Sequence, residues 1–251
     1  MGERDPGPYS GKNAVITGGG AGMGFALAKL LVDGGARVVI TGRSEAALDA
    51  ARELGENALA VRGDVSSPSD PDALADRVKG ELGTVEALFA NAGIAGTTPL
   101  GTTTEEVFDE MFAINVKGAF FTVQKLAPLV SSGAGVVLTT SVANSIGMVD
   151  SSVYAASKAA LRSMARSFSR ELLPRGIRVN AISSGPMDTG ILEKVMTKEA
   201  AAQFVAQVVA VNPMQRFDTL DEFARAAAFL AFDATYTTGA EFAVDGGRTQ
   251  L

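Results

Sequence analysis

The chain has 251 residues, 47% of them hydrophobic, with 28 glycines and a formal net charge of −6. That length is enough for the core of one large α/β domain, and an acidic balance without a basic run argues against nucleic acid or an anionic membrane as partner. Cysteine and histidine are both missing, which excludes disulfides, thiolate chemistry, Ser-His-Asp triads, histidine-bound zinc and dehydrogenases with a histidine base. Acid–base work therefore falls to Tyr, Lys, Asp or Glu, and no metal is expected.

Residues 1–10 are polar and carry Pro6 and Pro8, so they read as a flexible arm rather than a signal peptide. No segment has the ~20 apolar residues of a membrane span, and the expected location is the cytoplasm. From 11 to 251 the pattern predicts a single domain. Short β-branched runs at 14–17, 37–41, 58–61, 87–90, 136–140, 177–182 and 242–244 alternate with helical stretches near 23–33, 45–54, 69–82, 104–130, 150–173 and 220–231. Apolar strands separated by helices imply a doubly wound α/β domain, a parallel sheet of about seven strands covered on both faces.

The first strand runs into Thr17-Gly18-Gly19-Gly20-Ala21-Gly22-Met23-Gly24, and a helix opens behind it. Glycines there let the backbone turn tightly and approach a pyrophosphate, which rests on the free N–H groups of the helix N-terminus. The strand–turn–helix context favours this over a purely structural turn. Nothing matches the phosphate loop of an NTPase. After the second strand, Gly42 stands where a carboxylate would accept ribose hydroxyls, and Arg43 offers a guanidinium fork suited to a 2′-phosphate. NADP(H) is therefore favoured, with NAD(H) possible; the plainer reading of Arg43 is a surface arginine. Asp64-Val65 follows the third strand, where a carboxylate meets an adenine amino group or merely opens a helix. Asn91-Ala92-Gly93 ends the fourth with small residues that let backbone lie against a cofactor.

Tyr154 and Lys158 are four apart in a helical stretch and share one face. A free tyrosine titrates only near about pH 10, and an ammonium beside it favours the phenolate. With no histidine in the chain, such a pair is the remaining way to run proton transfer near neutral pH.

Together these motifs resemble the short-chain dehydrogenase/reductase family over about residues 12–247. The glycine turn at 17–24, Asn91-Ala92-Gly93, Asn115, Ser141, Tyr154-x-x-x-Lys158, Arg178-Val179-Asn180 and the closing 242–247 occur in the family's order. The resemblance implies a Rossmann-like domain and hydride transfer between a nicotinamide cofactor and a ketone or secondary alcohol. It gives Tyr154 the role of general acid/base and Lys158 that of holding the tyrosine pKa down while bonding the nicotinamide ribose. Ser141 would hold the substrate oxygen, with Ser145 and Thr140 as rivals. Asn115 would open its helix locally and seat a proton-relay water. Gly18, Gly20, Ala21, Gly22, Met23, Gly24, Arg43, Asp64, Val65, Asn91, Ala92, Gly93, Gly185, Pro186 and Thr189 would line the cofactor.

There are departures. Ser183-Ser184 precedes Gly185-Pro186, and Ala21 stands where NADP-preferring members often carry a basic residue. Residues 187–212 are expected to form a substrate lid. Met148 and Met187 would join Ser141 and Tyr154 around the substrate, and with no fixed charge evident there an uncharged, apolar ketone is expected. By resemblance the helices bearing Asn115 and Tyr154 pair with their copies in a homotetramer or homodimer, through Gly118, Ala119, Phe121, Ala156, Ala160, Met164 and Phe168. The alternative function is a nucleotide-binding regulator or scaffold of the same fold without turnover.

Overall fold

In a computed structural model, which describes residues 7–187 and 197–251, the β-branched runs form seven strands. They are β1 (Asn13–Thr17), β2 (Arg37–Gly42), β3 (Ala58–Arg62), β4 (Val85–Ala90), β5 (Val130–Ser141), β6 (Arg178–Ser184) and β7 (Glu241–Val244). All pair in parallel, in the order β3-β2-β1-β4-β5-β6-β7. Around them lie α1 (Gly22–Asp33), α2 (Ala46–Leu54), α3 (Asp70–Glu81), α4 (Glu105–Phe112), α5 (Ala119–Leu126), α6 (Ser152–Leu172), α7 (Lys198–Ala210) and α8 (Leu220–Ala228).

Alternate residues of one strand feed opposite layers, as a period of two requires. Ala14 and Ile16 of β1 pack with Leu27 and Leu31 of α1 and Phe223 and Ala227 of α8. Val15 of the same strand packs with Leu74 and Val78 of α3, Val123 and Leu126 of α5 and Leu161 of α6. Both faces are thus dry, which is why the strands read as unbroken apolar runs. The strand order reverses between β1 and β4, and the crevice beyond their C-terminal ends is where a doubly wound sheet takes its ligand.

The expected helix over 104–130 is interrupted. After Phe112 the residues Ala113–Gly118 form a π-helical turn before α5 resumes. Gly118 lies against Val65, where a Cβ would come within 2.7 Å of the valine side chain. The fifth strand starts earlier than predicted: Val130 pairs with Val85 and Gly135 with Ala87, so the polar Ser131–Ala134 bulges out of register. Within the expected lid, Lys198–Ala210 is helical, capped by Thr197, whose Oγ1 accepts from Ala200 N at 3.3 Å. Thr189, with Ile191, Leu192, Val195 and Met196 of that lid, lies outside the described residues. The arm expected over 1–10 is anchored from Gly7 onward, because Tyr9 N donates to Gly34 O at 2.8 Å and its ring sits 5.1 Å from that of Phe232. Among the described residues no helix is long and apolar enough to cross a membrane.

Buried Arg178 closes the far side of the sheet. Its Nη1 donates to Leu230 O (2.7 Å) and Ala234 O (3.0 Å), and its Nη2 to Ala231 O (2.6 Å). A cation at the carbonyl end of the last helix also suits the helix dipole. Replacing it by methionine leaves three carbonyls unanswered. We expect Arg178→Met to lose about 3 kcal/mol of stability and to melt roughly 6–12 °C lower. An unchanged calorimetric midpoint would contradict this.

Candidate active site

The glycine turn is shaped by close approach. Gly18 has φ +69°, a conformation that disfavours a side chain, and a Cβ there would come 2.9 Å from Ala92 Cα. A Cβ on Gly24 would collide with Gly18 O. Gly20 packs on Ala47, Gly22 opens α1 from an extended Ala21, and Met23 leans on the core. The loops around this turn are stitched by Thr17, whose Oγ1 accepts from the N–H groups of Asn91 and Ala92, both at 3.0 Å. Asn91 in turn donates to Thr17 O (3.1 Å) and accepts from Thr139 Oγ1 (3.1 Å). One residue thereby ties β1, β4 and β5 together at the switch point.

Between these loops lies a cavity of about 120 Å³, lined by Gly18, Arg43, Asp64, Val65, Ala92 and Gly93 among others. Arg43 is exposed. The acid two residues on, Glu45, is taken by Arg62 (3.0 Å), which also donates to Arg43 O (3.1 Å). Glu45 is therefore already paired. Asp64 is partly spoken for: its Oδ1 accepts from Ser66 N (2.9 Å) and Ser66 Oγ (2.7 Å).

Asn115 sits in the π-turn and is fully buried. Its Oδ1 accepts from Ile94 N (2.8 Å), while its Nδ2 donates to Ile94 O (2.9 Å) and Ser157 Oγ (3.0 Å). Ser157 donates on to Tyr154 O at 2.7 Å. Asn115 is thus a bracket between the loop after β4 and the first turns of α6. The start of α6 is held by Thr98, whose Oγ1 accepts from Val153 N at 3.2 Å.

Tyr154 and Lys158 lie one turn apart on α6, with Nζ 5.8 Å from the phenol ring centre. Lys158 is buried, and its Nζ donates to Thr139 O at 3.0 Å. Burial pushes its pKa from the usual 10.5 down to about 8. Burial likewise pushes the Tyr154 phenol up, and hydrogen bonding with Ser141 pulls it back in part. The upward direction is the reverse of what the adjacent ammonium alone suggests, and burial is its leading cause. Ser141 ends β5, and its Oγ accepts from Ala143 N (3.2 Å). Its rivals are otherwise engaged: the single Thr140 hydroxyl proton lies between Ile182 O (2.9 Å) and Glu241 Oε1 (3.0 Å), and exposed Ser145 donates to Asn144 Oδ1 (2.8 Å).

A second tier supports Ser141. Glu241 Oε1 accepts from Thr140 Oγ1 (3.0 Å) and from Asn144 Nδ2 (2.6 Å), which also donates to Ser141 O (2.6 Å). Glu241 Oε2 pairs with Arg162 at 3.2 Å, with both side chains largely buried. Arg162 lies one turn beyond Lys158 on α6, so a single carboxylate links the serine strand to the helix of the Tyr–Lys pair. A cavity of about 230 Å³ opens beside this group, lined by Ser141, Met148, Gly185, Pro186 and Met187 among others.

Residues 18–249 match a family model described as enoyl-(acyl carrier protein) reductase. The chain is 42% identical over 246 residues to the oxidoreductase asL5 of Sarocladium schorii, covering 96% of this chain and 97% of that one. It is 36% identical over 250 residues to cis-4-hydroxycyclohexanecarboxylate dehydrogenase of Sinomonas cyclohexanicum, covering 97% and 98%. A solved blue fluorescent protein from a metagenomic library, in complex with NADPH, superposes with TM-score 0.87 at 32% identity, over 95% and 98% of the two chains. The chain belongs to the short-chain dehydrogenase/reductase family.

The family's nicotinamide cofactor fits the residues present. A Cβ on Gly93 would lie 3.1 Å from Asn115 Oδ1 and 3.3 Å from Lys158 Nζ, so bare backbone keeps a floor open in front of the lysine. Members of this family bind the cofactor with glycine turns of the kind that Gly18 and Gly24 build here. Sequence reasoning missed Thr139, Ser157, Thr98, Asn144 and Glu241. Glu241 opens β7 and Asn144 lies in the turn after β5, and no spacing links them, whereas Ser157 lies inside the Tyr–Lys motif and was within reach.

The buried ammonium makes a pH test. Folding lowers the Lys158 pKa from 10.5 to about 8, so below pH 8 both states are protonated and its burial cost is fully present. Between 8 and 10.5 the unfolded chain binds the extra proton, and stability rises with pH by on the order of 3 kcal/mol in total. Lys158→Met removes that slope while stranding Thr139 O, so its net effect at pH 7 is small. Melts of both proteins without added nucleotide are expected to show the wild type gaining on Lys158→Met from pH 8 to 10.5. Parallel pH profiles would refute it.

Proposed function

We propose that this chain is a cytoplasmic, NADPH-preferring oxidoreductase that interconverts a ketone and a secondary alcohol. The observation that carries the reading is the buried Lys158 ammonium beside Tyr154 on one face of α6, with Ser141 placed where it pulls the phenol pKa down in part. NADP(H), when bound, supplies or accepts the hydride. In reduction, Tyr154 gives its phenolic proton to the carbonyl oxygen as that oxygen gains charge. The remaining phenolate is stabilised by the Lys158 ammonium, which is still largely protonated at pH 7 with a pKa of about 8. The Ser141 hydroxyl donates to the same oxygen and orients the carbonyl. In oxidation the proton moves the other way. Asn115 fixes Ser157 and the loop at Ile94, and so holds the Tyr154 turn in register with the cofactor floor.

Preference for the 2′-phosphate rests on Gly42, which supplies no carboxylate, and on exposed Arg43, whose sequence neighbour Glu45 is held by Arg62. The NADPH named with the blue fluorescent protein agrees with that preference, and the dehydrogenase named among the relatives with the reaction class. Assembly as a homotetramer or homodimer rests on family membership and on the exposed Val107, Phe108 and Phe120 of α4 and α5. Of the stripe named for that contact, Gly118, Ala119 and Phe168 are buried within the single chain.

Tyr154→Phe is expected to cut kcat by roughly a hundred- to ten-thousand-fold while NADPH fluorescence still reports binding. NADPH binding without turnover on any ketone would leave the regulator reading standing, and turnover indifferent to this change would point to a different catalyst. Arg43→Gln removes one charged contact and should raise KM for NADPH roughly 10–100-fold, with NADH kinetics little altered. Wild type favouring NADH would retire the cofactor assignment.

A further inference from the structure

The 230 Å³ cavity beside Ser141 is mostly apolar: Val142, Met148, Phe204, Val208 and Phe217 form its walls. One lining residue breaks that pattern. Arg248 reaches the same cavity from the chain beyond β7, and its Nη1 is buried without a hydrogen-bond partner among the described residues. Buried polar groups are nearly always answered, and a charged one especially so. An unanswered guanidinium nitrogen in a ligand cavity therefore points to a ligand.

The neighbouring acids do not supply the partner. Asp245 precedes Arg248 by three residues, yet both its oxygens are used by its own turn. They accept from Gly247 N (2.9 Å), Thr249 N (3.0 Å) and Thr249 Oγ1 (2.6 Å). Asp218, from the segment before α8, has its Oδ2 buried without a partner, but it lines a neighbouring cavity with Asn212, Arg216 and Glu222, and among the described residues it makes no hydrogen bond or ion pair with Arg248. The ion pairs among the described residues leave Arg248 out.

We infer that Arg248 is a specificity-determining residue, and that the substrate of this site is a keto acid or hydroxy acid. Its carboxylate meets the Arg248 guanidinium, its carbonyl or hydroxyl oxygen meets Ser141, and a short aliphatic spacer crosses the apolar walls between them. A planar guanidinium matches a carboxylate with two parallel hydrogen bonds, and burial strengthens that pairing. This replaces the expectation of an uncharged substrate, which rests on Met148 and Met187 as lining residues; the cation comes from the C-terminal turn.

The inference rests on the hydride-transfer reading above, so its test has an arm that needs no turnover. Rates with NADPH are measured for 4-oxopentanoate, 5-oxohexanoate and 6-oxoheptanoate, and for their methyl esters. The wild type is expected to favour the acid over its ester at least tenfold in kcat/KM at one chain length. Arg248→Gln should lower that ratio at least tenfold, and Arg248→Lys should restore part of it. In parallel, calorimetry with NADP present follows binding of the unreactive pentanoate, hexanoate and heptanoate, with alkanesulfonates of the same lengths as a second anion. A carboxylate that binds the wild type and loses at least tenfold in affinity in Arg248→Gln supports the inference even if no ketone is reduced, in which case only the reaction class fails. Equal rates for acid and ester, or a variant that loses both alike or loses NADPH affinity instead, would overturn it, as would carboxylates that bind neither protein. Alkanesulfonates bound more tightly than carboxylates would overturn the carboxylate assignment.

Discussion

A buried ammonium with one protein acceptor is the constraint from which the rest of this site is arranged. Removing Lys158 from water is unfavourable, and the single bond to Thr139 O offsets only part of it. The fold can hold the charge there because α6 is clamped to the sheet by Leu161, Ala165 and Phe168. Thr139 belongs to β5, which is paired on both sides along its second half. Helix and strand are therefore both rigid, and Nζ has one place to be. The geometry around it follows: Gly93 is bare where a side chain would touch the ammonium, and Tyr154 stands one turn back on the same face.

The π-turn at Ala113–Gly118 serves the same end. An α-helix running unbroken from α4 into α5 would rotate everything after Phe112 relative to the present path. Asn115 would then lose its three-way grip on Ile94 and Ser157. A widened turn lets α4 and α5 each keep an apolar face on the core while one amide points inward. Gly118 at its end allows the backbone to settle on Val65, which also lines the nucleotide cavity. The same six residues thus touch both ends of the crevice.

Much of this was legible because its signals are local. The glycine turn and the Tyr–Lys pair each occupy a few consecutive residues, and the strand–helix alternation needs only hydropathy. The doubly wound parallel sheet follows from these. Three kinds of feature were not legible. Backbone acceptors such as Thr139 O have no sequence signature. Partners such as Glu241 and Asn144, 97 positions apart, meet only through the β5–β6–β7 pairing. Burial sets the direction of the Tyr154 pKa, and a sequence displays the neighbouring charge but not the dry surroundings. The early start of β5 was hidden for another reason: Ser131–Ala134 has the composition of a loop and is in fact a bulge.

The two halves of the sheet divide the labour. On one side of the switch point, β1, β2 and β3 end in turns of glycine and small polar residues that leave Gly18, Arg43 and Asp64 lining the 120 Å³ cavity. On the other, the groups around β5 and β7 answer one another: Ser141 through Asn144, Asn144 through Glu241 at the start of β7, and Glu241 through Arg162 on the helix of the Tyr–Lys pair. β7 is the edge strand, so the chain after it folds back over the strand ends without displacing a neighbour. Asp245 closes that turn entirely on itself. A self-satisfied turn at a sheet edge can present Arg248 to the cavity without also cancelling its charge, which a turn with a free carboxylate would do.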